Sequence, residues 1–167
     1  LIVCKNDFSH KNIAEQLKEH SITRKYNAVV YNGFNEDEGT VDQPIGRNPQ
    51  DRKKMAVISG GREAITHFST VCEYKSFTHA KMELETGRTH QIRAQSSFHG
   101  YPLLGDTAYG GLKIQETEYF LHAFEMIFPE NNELNLPPSL KAPVPKLFFN
   151  FLKSTMHDYE KCIILKV

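Results

Sequence analysis

The chain has 167 residues, which suffices for one domain with a hydrophobic core, and 40% of its residues are hydrophobic, 11% aromatic and 24% charged. Its 20 basic and 20 acidic residues give a formal net charge of zero, which excludes a uniformly basic nucleic-acid-binding protein. No apolar run is long enough to span a bilayer, and no CxxC or HxxxH pair indicates a metal site.

The cysteines and the first residues bear on where the protein resides. Cys4, Cys72 and Cys162 are odd in number and far apart, which argues against a disulfide framework and favours a reducing compartment. We therefore expect a cytoplasmic protein. The sequence opens at Leu1, within a strand-like apolar run, so we expect this single domain, residues 1–167, to be part of a longer protein.

The hydrophobic periodicity predicts more strands than helices. Residues 64–75 and 78–85 alternate between apolar and polar side chains, as expected for a β-hairpin. In chain order, the predicted elements are a strand end over 1–5, a helix capped by Ser9 over 9–19, a strand over 23–31, a short edge strand over 40–46, strands over 64–75 and 78–85, a helix over 89–99, a helical turn passing into a strand over 119–128, a helix over 146–153 and a strand over 162–167. This content predicts an α+β fold with a mixed, mainly antiparallel sheet flanked by a few helices.

The densest group of polar side chains lies in the segment 84–93, Leu-Glu-Thr-Gly-Arg-Thr-His-Gln-Ile-Arg. It follows a predicted strand and a Thr-Gly turn and opens a predicted helix, a setting in which α/β proteins often bind anions. Arg88 and Arg93 supply fork-shaped cationic donors, while His90 and Gln91 supply shorter hydrogen-bonding groups. The alternative is an ordinary polar helix start, but the density of donors favours binding of phosphate or carboxylate.

Other candidate residues allow two interpretations each. Arg47, Lys53 and Lys54 belong to a locally basic segment that suits phosphate or a solvated loop. Tyr26, beside Arg24 and Lys25, suits base stacking or half-buried packing. Asp106 suits a catalytic acid, although ordering of its own turn is the more common role.

Six segments match, in order, the sequence motifs of one enzyme family. The chain thereby resembles the pseudouridine synthases, in the branch named for modification of the large ribosomal subunit, over nearly its whole length. The matching segments are 22–29 (K-x-Y-x-A-x-V), 39–47 (G-x-I-D-x-P-I-G-R), 55–57 with 64–68 (K-M-x-V and A-x-T-x-[YF]), 84–93 (L-x-T-G-R-T-H-Q-I-R), 100–110 (G-x-P-L-x-G-D-x-x-Y-G) and 121–123 (L-H-A).

The resemblance implies isomerisation of a uridine in ribosomal or transfer RNA to pseudouridine by a monomeric enzyme that needs neither metal nor cofactor and no membrane. It implies that Tyr26 stacks on the flipped base and that Arg88 pairs with the nucleophilic aspartate. It assigns Ile92 to the pocket wall. The remaining residues then lie near the RNA backbone: His90, Gln91, Arg93, Arg24, Lys25, Arg47, Lys53 and Lys54.

The chain departs from the family at the nucleophile. The family's aspartate lies in an R-L-D-x-x-T-S-G loop immediately before the segment that matches residues 1–6, and no aspartate of this chain matches it. We therefore expect the nucleophile upstream of Leu1 and expect the chain alone to be inactive. A non-catalytic RNA-binding domain is the alternative function, and a chance match by a hydrolase or scaffold is disfavoured by the ordered motifs.

Overall fold

Nine strands and three α-helices form the part of the chain that the computed structural model describes, namely residues 2–114, 119–155 and, for the backbone, 159–162. One turn of 3-10 helix covers Thr107–Tyr109. The α-helices are α1 (Asp7–Lys18), α2 (Gln91–Phe98) and α3 (Lys146–Ser154). The strands are β1 (Thr23–Tyr31), β2 (Glu38–Asp42), β3 (Ile45–Arg47), β4 (Met55–Val57), β5 (Ile65–Tyr74), β6 (Phe77–Leu84), β7 (Leu121–Ile127), β8 (Ser139–Lys141) and β9 (Tyr159–Cys162).

The main sheet has seven strands, with β2, β5, β6, β1, β7 and β8 side by side and β9 paired with β5. Each of these pairs is antiparallel. A separate two-stranded sheet joins β3 and β4 into a short hairpin. The predicted α+β class with a mainly antiparallel sheet is confirmed, and β1 lies inside the sheet between β6 and β7.

The β5–β6 hairpin shows why the alternating pattern specifies this sheet. Two residues connect the strands, and the flanking rings of Tyr74 and Phe77 stack with centroids 4.6 Å apart. Successive side chains of β6 alternate between half-buried and buried positions. Such a period-two pattern fixes the register, since a slip of one residue would expose the buried set.

Two apolar clusters cover the two faces of the sheet. Val30 of β1 and Met82 of β6 pack on one face with Ile92 of α2, whereas Val29 packs on the other face with Phe148 of α3. Successive residues of a strand point to opposite faces, which places Val29 and Val30 in different clusters. Each such side chain contributes about 1.5–3 kcal/mol when it is fully buried.

Several boundaries differ from the sequence-based expectations. Residues 2–4 carry no regular secondary structure, although a strand end was expected there. Asn6, rather than Ser9, caps α1, because its Oδ1 accepts the N–H of Ser9 at 2.8 Å. The strands β4 and β8 were not predicted, and residues 163–167 of the predicted last strand lie outside the described residues.

The cysteines also differ from expectation. Cys72 on β5 is disulfide-bonded, whereas Cys4 is a free thiol. The sequence argued against a disulfide framework, and the structure differs from that expectation at Cys72. Within residues 2–114 and 119–155, no helix has the length and apolar character needed to cross a membrane.

Candidate functional site

An open pocket of about 180 Å³ lies where β1, β7 and β8 meet. The register between β1 and β7 shifts at Lys25 and Tyr26, leaving Phe124 as an extra residue on β7. Such a bulge bends the strand and redirects neighbouring side chains, which opens the sheet at this point. The lining residues are Ile2, Arg24, Tyr26, Ala123, Phe124, Glu125, Met126, Leu140, Lys141 and Ala142.

Tyr26 presents an aromatic ring to this pocket. The ring packs from one side against the apolar cluster that contains Met82 and Ile92. Burial raises the pKa of the Tyr26 phenol, although the positive charge of Arg24 opposes the increase. The phenol is therefore neutral near pH 7 and suits stacking against a planar, neutral base.

Arg24 is a half-buried cation without a carboxylate partner among the described residues. One terminal nitrogen, Nη2, donates to the carbonyl oxygen of Glu85 at 3.4 Å, while the buried Nε has no hydrogen-bond partner within the described part of the chain. Burial lowers the pKa of the Arg24 guanidinium, and the nearby charge of Arg88 lowers it further, whereas Tyr26 acts in the opposite direction. Because a desolvated cation without a counter-charge is unfavourable, this position favours an incoming anion.

Arg88 follows the Thr86-Gly87 turn that leaves β6. Its backbone N–H donates to the side-chain oxygen of Gln91 at 2.9 Å, and its Nε donates to the carbonyl of Glu63 at 2.8 Å. These bonds hold the backbone and the stem of the guanidinium while Arg88 makes no ion pair with a described residue. Arg24, Tyr26 and Arg88 thus come from different parts of the sequence to one side of the sheet.

Gln91 and Ile92 are buried, at 2% and 4% exposure. The Gln91 amide nitrogen donates to the carbonyl of Ile65 and to the hydroxyl of Thr66, both at 2.9 Å, while its oxygen accepts from Thr86 and from the Arg88 backbone. Gln91 therefore links the turn to β5 by hydrogen bonds. Its buried position does not support the expected contact with RNA. Ile92 packs with the cluster behind Tyr26 rather than lining the pocket.

The guanidinium of Arg93 also binds other side chains of the protein. Its Nε and Nη2 donate to the two carboxylate oxygens of Asp106 at 2.7 and 2.8 Å, and only 1% of the Asp106 side chain is exposed. The guanidinium lies 4.6 Å from the ring centre of Tyr109 and 4.5 Å from that of Tyr119. The expected contact of Arg93 with the RNA backbone is not supported by this position, and Asp106 holds Arg93 rather than capping its own turn.

His90 precedes α2 in a left-handed backbone conformation with φ of 52°. Its Nδ1 lies 2.9 Å from the hydroxyl of Tyr109, which also accepts the N–H of Met55 at 2.9 Å. Burial lowers the pKa of His90, as do the charges of Arg93 and Arg47, while Asp106 raises it. The exposed imidazole is therefore neutral near pH 7 and faces the hairpin that carries Arg47.

The remaining basic candidates divide between two places. Arg47, Lys53 and Lys54 lie on the β3–β4 hairpin, where Lys54 is 3.5 Å from Asp51 and Lys53 is exposed. Lys25 lies on the opposite face of β1 from Tyr26 and pairs with Glu83 at 3.5 Å. The structure therefore brings Arg24, but not Lys25, to the pocket.

Gln95 was missed by the sequence reasoning. It is 2% exposed, accepts from the Thr66 hydroxyl at 2.7 Å and donates to the carbonyl of Ala64 at 2.7 Å. Its spacing of four residues from Gln91 places both amides on the same face of α2, which is the signal that could have identified the pair. No group of three or more His, Cys, Asp or Glu side chains within the described ranges could hold a metal ion.

Comparison with known families and proteins identifies the family. Residues 1–98 match the family described as RNA pseudouridylate synthase, so the chain belongs to this family. It is 42% identical over 149 residues to "Uncharacterized RNA pseudouridine synthase YlyB" of Bacillus subtilis, covering 87% of this chain and 48% of that protein. It is 43% identical over 111 residues to "Ribosomal large subunit pseudouridine synthase D" of Pseudomonas aeruginosa, covering 66% of this chain and 34% of that protein.

The fold agrees with a solved structure of the same kind. The chain superimposes on "Human RNA Pseudouridylate Synthase Domain Containing 1" with a TM-score of 0.75 at 22% identity, covering 95% of this chain and 68% of that one. The predicted family is thus confirmed. The chain spans about half or less of the length of the two bacterial relatives.

Proposed function

We propose that this chain, a member of the RNA pseudouridylate synthase family, is the catalytic-domain portion of an enzyme that isomerises specific uridines in structured ribosomal or transfer RNA. The observation that carries the proposal is that Tyr26 and Arg24 line one pocket and that Arg88 lies close enough to lower the pKa of Arg24, while neither arginine forms an ion pair with a described residue. An aromatic ring beside unpaired cations suits a nucleotide, whose base stacks and whose phosphate is anionic.

Tyr26 and Arg88 each have a role in the proposed reaction. The target uridine leaves the RNA stack, which costs a few kcal/mol, and its base stacks on Tyr26. The bond between ribose C1′ and base N1 breaks, the base turns, and a C1′–C5 bond forms. The hydrogen of C5 leaves as a proton, while N1 ends protonated. Arg88 pairs with the nucleophilic aspartate and favours its ionised form, which a nucleophile requires.

We place that aspartate in sequence preceding Leu1, as the order of the family's motifs implies. Glu125 is the carboxylate among the described lining residues of the pocket, and it pairs with Lys141 at 3.4 Å. Without the aspartate, the chain alone binds RNA but does not isomerise it. The reaction as written needs no metal and no cofactor, and we propose a monomeric enzyme.

The RNA backbone is proposed to run from the pocket along the turn at Gly87 to the β3–β4 hairpin. His90 lies between these places, and its pKa responds to the charge of Arg47 on the hairpin. The exposed cations Arg47 and Lys53 then contact phosphates, with Lys54 in a weaker position because Asp51 accompanies it. Cytoplasmic location stays a prediction.

A non-catalytic RNA-binding domain is the second candidate function. It is favoured by the pairing of Glu125 with Lys141, since no unpaired carboxylate is among the described residues that line the pocket. This function keeps Tyr26 and Arg24 as RNA contacts and assigns no chemistry to Arg88.

Release of tritium from RNA that carries 5-tritiated uridine separates the two candidates, because isomerisation frees the hydrogen of C5. The chain extended upstream of Leu1 to include the family's aspartate loop is incubated with a panel of ribosomal and transfer RNAs. We expect release by the extended chain, none by the chain alone, and none by the extended Arg88→Ala variant.

Arg62→Ala is the matched control, because Arg62 is an exposed arginine outside the pocket. This control should retain release, and thermal unfolding should show that Arg88→Ala is folded. Turnover near that of the unmodified protein in Arg88→Ala would contradict the role of Arg88. No release from any RNA of the panel would favour the non-catalytic function.

A further inference from the structure

We propose that Arg24 and Gly87 form a phosphate seat beside Tyr26, in which Gly87 is a positioning residue because its lack of a side chain lets the Arg24 guanidinium lie against the turn. The seat receives the phosphate of the nucleotide whose base stacks on Tyr26. The proposal rests on the proposed function only for the identity of the ligand as RNA.

Glycine is needed at position 87 because a side chain there would meet the Arg24 guanidinium, and not because of the backbone conformation. The glycines with positive φ are Gly60, Gly100, Gly105 and Gly110, and Gly87 is not among them. A Cβ added at Gly87 would lie 2.9 Å from Cζ of Arg24 and 3.1 Å from its Nη2, and closer still to Nη1. The guanidinium therefore lies directly against the Gly87 backbone, and any side chain at this position displaces it.

Arg24 in this position lacks a counter-charge. It forms no ion pair with a described residue, and its buried Nε lacks a hydrogen-bond partner there. Among the described residues, its guanidinium donates to the Glu85 carbonyl through the long contact of Nη2 at 3.4 Å. The neighbouring charge of Arg88 adds repulsion, so an anion at this place relieves both desolvation and repulsion.

The arrangement favours a phosphate that belongs to a nucleotide. Arg24 and Tyr26 are two positions apart on β1, so their side chains lie on one face at about 7 Å along the strand. A single nucleotide can bridge that spacing with its base on the ring and its phosphate on the guanidinium. Arginine forms two parallel hydrogen bonds to a phosphate, which fixes the position of the nucleotide as well as binding it.

The first readout is the salt dependence of RNA binding by the chain itself, measured by fluorescence anisotropy with a short single-stranded uridine-rich RNA. One lost phosphate contact should reduce the slope of log K against log salt by about 0.7. We expect this reduction in Arg24→Gln and in Gly87→Ala. The double variant should match either single variant, because both changes remove the same contact.

Two further variants separate positioning from folding. Lys18→Gln removes an exposed charge at the end of α1 and should keep the slope of the unmodified chain. Arg24→Lys keeps the charge without the flat guanidinium, so it should retain the slope, and Gly87→Ala should have no further effect in its background. An additional loss from Gly87→Ala in the Arg24→Gln or Arg24→Lys background would overturn the positioning role of Gly87.

The second readout is the NMR signal of the Arg24 Nε–H group, assigned by its absence in Arg24→Gln. Inorganic phosphate and the RNA should both move this signal. Movement by acetate alone would overturn the phosphate assignment and indicate a carboxylate ligand, as would an unchanged salt slope in Arg24→Gln. These measurements need no turnover, so they test the phosphate seat even if the extended chain releases no tritium.

Discussion

Replacing Asp106 with alanine should destabilise the fold by about 3 kcal/mol, because the change leaves Arg93 buried without its counter-ion. Asp106 accepts both hydrogen bonds of the Arg93 fork, and the exposed fractions of the two side chains are 13% for Arg93 and 1% for Asp106. Breaking a buried ion pair by removing one partner typically costs about 3–5 kcal/mol. The rings of Tyr109 and Tyr119 remain against the guanidinium and retain part of its stabilisation, which places the expected cost at the lower end.

Urea unfolding followed by circular dichroism measures this cost directly. For a domain of this size, a loss of about 3 kcal/mol corresponds to a decrease in Tm of roughly 6–12 °C. The matched control is Glu83→Gln, which breaks the exposed pair with Lys25 at 3.5 Å and should cost under about 1 kcal/mol. If Asp106→Ala and Glu83→Gln were equally stable, the pair of Arg93 with Asp106 would not be structural, and the predicted contact of Arg93 with RNA would gain support.

Two further predictions concern Tyr26 and His79. The Tyr26→Phe variant should keep most of the affinity of the chain for RNA. The Tyr26→Ala variant should lose about 1–3 kcal/mol of binding free energy, the amount typical of one stacked base. Equal affinities of the two variants would count against stacking. Burial lowers the pKa of His79 to about 4 from an ordinary 6.5, with a smaller effect from Lys81. The unfolded chain therefore binds a proton at this residue before the folded chain does, so stability should decrease as the pH falls from about 6.5 to about 4, by at most about 1.4 kcal/mol per pH unit. His79→Gln should show a shallower decrease in urea titrations over this range, and an unchanged pH slope would contradict the buried neutral imidazole.

The long strands of the sheet were predictable, most clearly β6, whose side chains alternate strictly between half-buried and buried positions. The predicted range 23–31 coincides with β1, and the predicted hairpin over 64–75 and 78–85 forms as β5 and β6. The three-residue strands β4 and β8 were not predictable, since a run that short contains too little periodicity to distinguish it from a loop. The start of α2 was predicted two residues early because the left-handed conformation of His90 cannot be read from its neighbours in sequence.

The distribution of roles within 88–93 could not be predicted, because it depends on acceptors far away in sequence. Arg88 and Arg93 have the same chemistry, but Arg93 meets the carboxylate of Asp106, whereas Arg88 donates to a backbone carbonyl and forms no ion pair with a described residue. The side-chain amide of Gln91 forms its hydrogen bonds with β5 and with its own turn. The sequence of a segment shows which hydrogen-bond donors it contains. The acceptors that these donors bind come from distant segments and are known only once the chain is folded.

The positive charge of this family motif is consequently divided between structure and binding. Arg93 and Asp106 neutralise each other inside the protein, so Arg88 is the arginine of this motif that forms no ion pair with a described residue. Arg24 arrives from β1 and lines the pocket, and its guanidinium occupies space that a side chain at residue 87 would need. The turn after β6 therefore matters for this site in two ways. Gly87 leaves space for the guanidinium of Arg24, and Arg88 follows directly after it. A chain of zero net charge thereby brings together two guanidinium groups, those of Arg24 and Arg88, that form no ion pair with a described residue.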